Sequence, residues 1–505
     1  MSKNASAQVS QNSSKSNDYV DKRGKLAKLY YLYEVSTAVY MLEPWEKAIV
    51  IEIYPPKPLI LFLMFRINRY YSANSQALSS VLKKNLVGFN ADQIFEEISS
   101  KFPELKKYMA AQIYNWIYHK GASSFDQMLN ISLKYREDLK KHYTISFGST
   151  KKMQTSIDGT KKLLLEYIDD KNASSKSIAT KKLESSSPNN TLPQNMEHPS
   201  NLNQNTSAAL LADIKKTTDV KPNLSLKDFL NKNNSSHLVE AVYIPEEDRG
   251  TLCVSSQVGC ALNCKFCHTG TQQFMKNLAP SEIVGQYLKV AYYLADFNIK
   301  STEKRKISNI VFMGQGEPLL NYRNLKNSIA LLTDPNGIAF SRSKITVSTS
   351  GIVPLIEKVA TDLNVQLAIS LHAANDSLRS QIMPINKTYP IKPLINAAKM
   401  FSKKSSSKNK RVTFEYVLLD KVNDFDRDAV SLAKLTRGVF SHINLIPFNP
   451  WPGSTFKPSN EETIDNFYNL LTRLGASVSI RKPRGTDILA ACGQLKSSNL
   501  SKSNL

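Results

Sequence analysis

The chain has 505 residues, long enough to bury a large core without covalent staples and, on length alone, to form two or three domains. Lys plus Arg number 66 against 43 Asp plus Glu, a formal net charge of +23 that points to a polyanionic partner, either nucleic acid or an anionic membrane surface. Five cysteines without an evenly spaced framework exclude a disulfide-stapled secreted scaffold; with no signal-type leader at the start, a reducing, cytoplasmic setting is expected, where clustered cysteines bind metal or do chemistry.

Residues 1–18 are Ser, Asn, Gln and Lys with almost no apolar content, and are expected to be disordered. Residues 25–85 are richer in Tyr and Leu but are broken by "YPPKP" at 54–58. The apolar run Leu59–Phe65 is bounded by Pro58 and Arg66, far short of the roughly 20 residues a bilayer span needs, so it reads as a buried strand or short helix and no membrane partner is expected. The extension 1–87 as a whole carries no pattern that assigns it a function.

From Asn90 the periodicity becomes legible. Asn90 is placed to cap a helix beginning "ADQIFEEI"; "ELKKYMAAQIYNWIY" puts Leu105, Met109, Ile113 and Ile117 on one stripe, Gly121 is a stop, and Ser132 opens "LKYREDLKKHY". These elements define a small helical module over 88–147. Next, "KKLLLEYI" (161–168) and "HLVEAVYIP" (237–245) read as strands of a hairpin within a 148–249 linker region, its turn expanded by an Asn, Ser and Pro tract over 171–236 that lacks the apolar density to pack. Loop closure costs only about 0.6 kcal/mol per doubling of length, so such an insertion is tolerable.

Beyond residue 250, strand-like runs at 309–314, 344–350, 365–372, 411–419, 442–448 and 477–482 alternate with helical stretches at 280–297, 321–333, 391–402, 425–437 and 461–474. That alternation predicts an α/β fold of repeated βα units, a full or partial barrel over 250–495 with functional residues at the strand ends, followed by a disordered 496–505 tail.

Four of the five cysteines fall in "GTLCVSSQVGCALNCKFCHTG" (250–270). Cys260, Cys264 and Cys267 form a C-x3-C-x2-C triplet in one loop. A closed zinc site wants four ligands, usually in two separated pairs, and would have to recruit His268, Cys253 or the remote Cys492. Three thiolates are what a four-iron cluster needs if one iron is to stay open for the amino and carboxylate groups of S-adenosylmethionine. His268 comes directly after the triplet and is left without a role.

With "GQGEPLLN" (314–321), "STSG" (348–351), "SLHA" (370–373), "NLIPFNPWPG" (444–453) and "RGTDILAACGQL" (484–495), the cysteine segment resembles, in order from about residue 88 to 495, the RlmN/Cfr family of RNA methyltransferases. The resemblance implies a partial (βα)6 radical S-adenosylmethionine barrel with an N-terminal helical accessory domain that helps to grip RNA. It assigns Cys260, Cys264 and Cys267 to one 4Fe-4S cluster, Gly316 and Glu317 to the methionine end of the cofactor, and Ser348, Ser370, Leu371, His372 and Asn449 to the rest of its site.

In the mechanism so implied, two S-adenosylmethionine molecules serve each turnover. Cys492 takes a methyl group from the first; the second is split to a 5'-deoxyadenosyl radical that removes a hydrogen from that methyl, and the carbon radical adds to the adenine ring. Cys253 then attacks Cys492, forming a transient disulfide that expels methylated RNA, a thiol–disulfide exchange that needs a second thiol within reach. Glu240, in "VEAVYIPEEDRGTLC", matches the family's proton acceptor. Arg481, Lys482 and Arg484 lie close to Cys492 in sequence, where positive charge favours a thiolate and attracts phosphate. The basic "KKSSSKNKR" (403–411) reads as a solvated loop.

The expected reaction is methylation of C2 of adenosine in 23S ribosomal RNA and some transfer RNAs, at exposed bases that can leave the stack. Flavodoxin or ferredoxin is the expected electron donor and a monomer the expected state. The alternatives are the Cfr-like branch, which methylates C8 of the ribosomal adenosine, and a non-catalytic zinc-stabilised RNA-binding protein; "SSQVGCALNC" and the accessory module resemble the C2 branch more.

Overall fold

A computed structural model describes residues 83–168, 236–297 and 304–497. The expectations for the 1–18 leader, the 59–65 run, nearly all of the 171–236 tract and the end of the tail fall outside the described residues.

Short strands β1 (Lys84–Asn85) and β2 (Tyr143–Thr144) pair in parallel and enclose three helices, α1 (Ala91–Ser99), α2 (Lys107–Tyr118) and α3 (Leu133–His142). Asn90 caps α1 as expected: its side chain accepts from Gln93 N at 2.8 Å while Gln93 Oε1 accepts from Asn90 N at 2.9 Å, satisfying two otherwise orphaned donors. The stripe on α2 is buried at Met109, Ile113 and Ile117, whereas Leu105 is buried ahead of the helix because Lys106, its cap, is extended. Gly121 holds a left-handed turn with φ of 70°, and a Cβ there would sit 2.4 Å from the Phe297 ring. Tyr114 adds a hydrogen bond to Asp334 at 2.9 Å, so the helical module is packed against the larger sheet-bearing region.

One ten-stranded sheet organises the rest. It begins at an edge with β3 (Ser149–Thr155), then β4 (Lys161–Ile168), β5 (Ser236–Pro245) and β6 (Gly250–Cys253), each antiparallel to the one before it. The pairing of β4 with β5 runs from Lys161 opposite Tyr243 to Ile168 opposite Ser236. A register shift between Thr150 and Lys152 bulges the edge strand β3. A two-stranded ribbon, β7 (Gln257–Val258) with β8 (Lys276–Asn277), brackets the cysteine loop.

From β6 onward the sheet is parallel. Helix α4 (Pro280–Leu294) leads to β9 (Asn309–Phe312), α5 (Tyr322–Thr333) to β10 (Ile345–Thr349) and α6 (Val353–Lys358) to β11 (Gln366–Ser370). Helices α7 (Asp376–Ile382) and α8 (Ile391–Lys404) precede β12 (Val412–Leu418); α9 (Asp426–Thr436) precedes β13 (Ser441–Pro447) and α10 (Glu461–Arg473) precedes β14 (Val478–Ile480). These are six βα units ending on β14, and since β14 and β3 are the two sheet edges, the arrangement is a partial barrel. Among the described residues no helix is long and apolar enough to cross a membrane.

Strand alternation divides the sheet into two environments. On β12, Val412, Phe414, Tyr416 and Leu418 join the hydrophobic core, while Thr413, Glu415 and Val417 line cavities. On β13, Ile443 and Leu445 do the former and His442, Asn444 and Ile446 the latter. Polar residues at the inward positions leave the barrel interior hollow, unlike the side-chain-filled interior of a closed eight-stranded barrel.

Candidate active site

The cysteine loop lies between β7 and β8, and its bends have local causes. Gly259 has φ of 73°, and a Cβ there would approach Gln273 O to 2.0 Å; a Cβ on Gly270 would come within 2.6 Å of Cys264 O. Cys260 N donates to Gln272 O at 3.2 Å, Cys267 N to Cys264 O at 3.2 Å and Gly270 N to Cys267 O at 3.0 Å. All three thiols are free and wall one cavity of about 160 Å³. Burial, and then the other thiols of the triplet, push Cys264 well above the ordinary thiol range; burial lifts Cys260 to about 11 and raises Cys267.

A positive centre answers that demand, since thiolates and not thiols are ligands. Among the described residues no three His, Cys, Asp or Glu side chains converge as for a single ion, so the thiols ring a space instead of a point. Three free thiols around a largely apolar cavity suit a cluster of several irons with one left open.

Of the other expected cofactor residues, Gly316, Glu317, Ser348, Ser370, His372 and Asn449 line this same cavity and Leu371 does not. Gly316 has φ of 90° and a Cβ there would meet the Gln257 side chain at 2.4 Å, so only glycine fits. Burial raises the Glu317 carboxyl, and both its oxygens are committed: Oε2 accepts from Ser350 N at 2.7 Å and Oε1 from Leu319 N at 3.1 Å. Glu317 thus ties the turn after β9 to the end of β10, where Ser348 sits. Ser370 ends β11; Leu371, next along, is fully buried, and its amide donates to Glu415 O at 3.0 Å. His372 comes next with φ of 57°. Burial holds its imidazole neutral, down to about 3, and its Nδ1 accepts from Val417 N at 3.0 Å, which leaves the ring proton on Nε2.

Cys492 comes from the far end of the domain. Its segment starts at Gly485, in left-handed conformation, and turns again through Leu489 with φ of 52°. Asn449 Nδ2 donates to Cys492 O at 3.3 Å, His268 N to Gly493 O at 2.7 Å and Thr269 Oγ1 to Leu495 O at 2.6 Å. His268, without a role in the sequence, also stacks on Trp451 with ring centroids 4.6 Å apart and an 8° interplanar angle, and pairs its Nδ1 with Gln494 O at 3.2 Å. Cys492 therefore borders the cavity of the triplet.

It also borders a second, wider cavity of about 640 Å³ that runs down the barrel interior and is lined by Cys253, Arg249, Arg411, Arg481, Lys482 and Arg484 among others. Cys253 ends β6, buried; burial and the facing Cys492 push its thiol up to about 12, against Arg481. Arg481 is held above its ordinary value chiefly by Cys492, with Glu415 and Cys253 adding to it. Glu240 lies on β5, 5% exposed, with its backbone N donating to Gln315 Oε1 at 3.2 Å. Burial raises its carboxyl, and Lys162, 3.3 Å away, opposes the rise.

Three residues of the site carried no sequence signal. Arg379 is fully buried and donates to Leu371 O at 3.0 Å, Ser370 O at 3.0 Å and Ser350 O at 2.8 Å, binding the ends of β10 and β11 together; within "DSLRSQI" it reads as an exposed helical arginine. Glu415 is buried at the junction of the two cavities, with Oε1 accepting from Asn444 Nδ2 at 3.1 Å and Oε2 unpartnered. Lys162 reads as a solvated strand lysine.

Residues 254–433 match the model of the radical SAM superfamily, and residues 84–145 match that of the ribosomal RNA large subunit methyltransferase N-terminal domain. Fold and site are thus those of a radical S-adenosylmethionine enzyme, a class that holds a 4Fe-4S cluster and S-adenosylmethionine. Dual-specificity RNA methyltransferases RlmN from Rhizobium leguminosarum bv. trifolii and Rhizobium meliloti are each 40% identical, covering 83% and 82% of this chain and 90% and 88% of theirs. A crystal structure of a radical SAM methyltransferase from Sphaerobacter thermophilus superposes with a TM-score of 0.64 at 32% identity, over 82% of this chain and 99% of that one. The chain belongs to the RlmN family of RNA methyltransferases. Residues 24–70, outside the described region, match the model of the small subunit of serine palmitoyltransferase-like proteins.

Proposed function

We propose that this protein methylates C2 of adenosine in 23S ribosomal RNA and in some transfer RNAs, using Cys492 as a transient methyl carrier. The observation that carries the reading is that Cys492 borders both cavities: the one walled by Cys260, Cys264 and Cys267, and the one that Cys253 lines. A cluster held by the triplet supplies an open iron for S-adenosylmethionine and the electron that cleaves it.

The chain's own residues supply the rest. Gly316, Glu317, Ser348, Ser370, Leu371, His372 and Asn449 orient the cofactor, with Asn449 also tied to the Cys492 backbone. Adenine C2 is an electron-poor carbon with no lone pair to attack a sulfonium methyl, so a thiolate must carry that carbon first; Arg481 and Cys492 line the same wider cavity. Two S-adenosylmethionine molecules are then consumed, one for the carrier and one for its activation. Glu240 takes the proton leaving the ring carbon, and the Cys253 thiolate attacks the Cys492 sulfur, so that the sulfur–carbon bond breaks with its electron pair on the carbon, which takes up a proton to become the product's methyl group and leaves a Cys253–Cys492 disulfide. Arg249, Arg411, Lys482 and Arg484 make the wider cavity a mouth for a phosphate-bearing strand with its base drawn out. A low-potential carrier such as flavodoxin or ferredoxin, a monomeric state and a cytoplasmic site complete the proposal.

Nucleoside mass spectrometry of RNA from cells with and without the gene tests it. Loss of 2-methyladenosine with the gene is the expected result; loss of 8-methyladenosine instead overturns the choice of carbon.

A further inference from the structure

Lys162 is the second residue of β4, and its side chain is 10% exposed. A buried lysine needs partners for its charge, and the structure gives it two. Its Nζ lies 3.3 Å from Glu240 Oε1 and donates to Leu489 O at 3.1 Å. Leu489 is the left-handed residue that turns the chain into the segment bearing Cys492. One ammonium group therefore touches both the proton acceptor and the support of the methyl carrier.

The rest of the β3–β4 hairpin grips the same segment. Ser156 Oγ donates to Asp487 Oδ1 at 2.6 Å, Ile157 N to Asp487 Oδ2 at 3.3 Å, and Gly485 N to Asp158 Oδ2 at 2.9 Å. On the other side, the backbone of Glu240 is pinned by Gln315 and by Ser255 Oγ, which donates to Glu240 O at 2.7 Å. Gln315, which also donates to Ser497 Oγ at 3.0 Å, and the Lys496 amide link Glu240 to the end of the same segment, and Lys162 is the charged side chain that joins the two.

We infer that Lys162 is a positioning residue that keeps Glu240 ionised for proton abstraction and, through the Leu489 carbonyl, sets the Cys492 segment against it. The inference rests on the reading of Glu240 as the proton acceptor. In the step concerned the ring C–H bond breaks, its electron pair stays with the ring, and the proton forms an O–H bond on the Glu240 carboxylate. A carboxyl already protonated cannot accept it. Burial acts in that unwanted direction. The charged group facing Glu240 from β4 is Lys162; the C-terminal segment contributes the Lys496 amide, and the neighbouring loops Ser255 and Gln315, neither of which titrates. Without Lys162 the acceptor becomes competent only at higher pH, because an opposite charge at such a distance is worth roughly one to three pK units.

The test tracks release of methylated RNA from the covalent adduct, on denaturing gels across pH, with full-length holoenzyme. In Lys162→Gln the acid limb of the release rate should move up by roughly one to three pH units and high pH should restore the rate. Lys162→Arg should keep the wild-type limb, and Asp487→Asn, which loosens the loop alone, should slow release equally at every pH. An unmoved limb in Lys162→Gln, or a limb in Lys162→Arg moved as far as in Lys162→Gln, overturns the inference. Should Lys162→Gln not fold, isotope-edited infrared spectroscopy of the wild-type protein decides, with the Glu240 band assigned by its loss in Glu240→Gln: a carboxylate at neutral pH supports the inference and a protonated carboxyl overturns it. Normal release by Glu240→Gln removes the proton-acceptor reading itself, whereas a stalled Glu240→Gln with an unmoved Lys162→Gln limb removes only the role of Lys162.

Discussion

The loop carrying Cys260, Cys264 and Cys267 takes its turns from its own backbone, Cys267 N to Cys264 O and Gly270 N to Cys267 O, whereas the segment carrying Cys492 is held by Lys162 and Asn449 from remote parts of the chain and by His268 and Thr269 of that cysteine loop itself. A cluster site can be specified by local spacing. A sulfur that borders two cavities, as Cys492 does, is specified only by the assembled fold. Damage to the first loop should therefore be all-or-none, and damage to the supports of the second should be graded.

The largest effect is expected from Cys264→Ala, which should yield protein without iron–sulfur absorption and RNA methylation at background. Stoichiometric iron and sulfide in that variant would break the comparison. Cys253→Ala should come next: cluster content unchanged, but a protein–RNA adduct through Cys492 accumulating to near one per chain on a denaturing gel and by mass spectrometry. Normal turnover by that variant would remove the releasing role of Cys253. Glu240→Gln should slow release of that adduct by roughly 10²–10⁴-fold, the usual share of a general base, again with the cluster intact.

The same division governs how much of the molecule is legible in its sequence. The triplet, the capping Asn90 and the strands of "VQLAISLH" or "HINLIPF" are written within a few residues and can be read there. Strand β6 escapes because it has four residues and no alternation. Helix α6 escapes because it starts immediately after Gly351 and Ile352 and has a proline in its first turn. Lys162 and Glu240 escape as a pair because, although their strands read as a hairpin, the 171–236 tract in its turn leaves the register open, and only the sheet sets Lys162 opposite Val242 and Leu164 opposite Glu240. Arg379 and Glu415 are charged residues whose burial depends on how strand ends come together, which no local pattern records.

The graded end of the comparison is sharpened by Gln494→Ala. It removes two hydrogen bonds that shape the carrier segment, Gln494 Nε2 to Pro450 O at 2.7 Å and Ala491 N to Gln494 Oε1 at 3.1 Å. At about 1 kcal/mol each, their loss should slow methylation of Cys492 by up to roughly thirtyfold, read by mass of the isolated protein, without loss of iron.

The smallest chemical changes would come from the outer edge of the sheet, yet that edge has its own task. Strand β3 exposes an unpaired backbone row to solvent, a template on which a foreign strand could add. Its bulge between Thr150 and Lys152, together with the adjacent lysines Lys151 and Lys152, makes that row crooked and charged. A guarded edge and the anchorage of the Cys492 segment thus fall to one hairpin, since a strand added there would tug on the very turn that fastens Asp487.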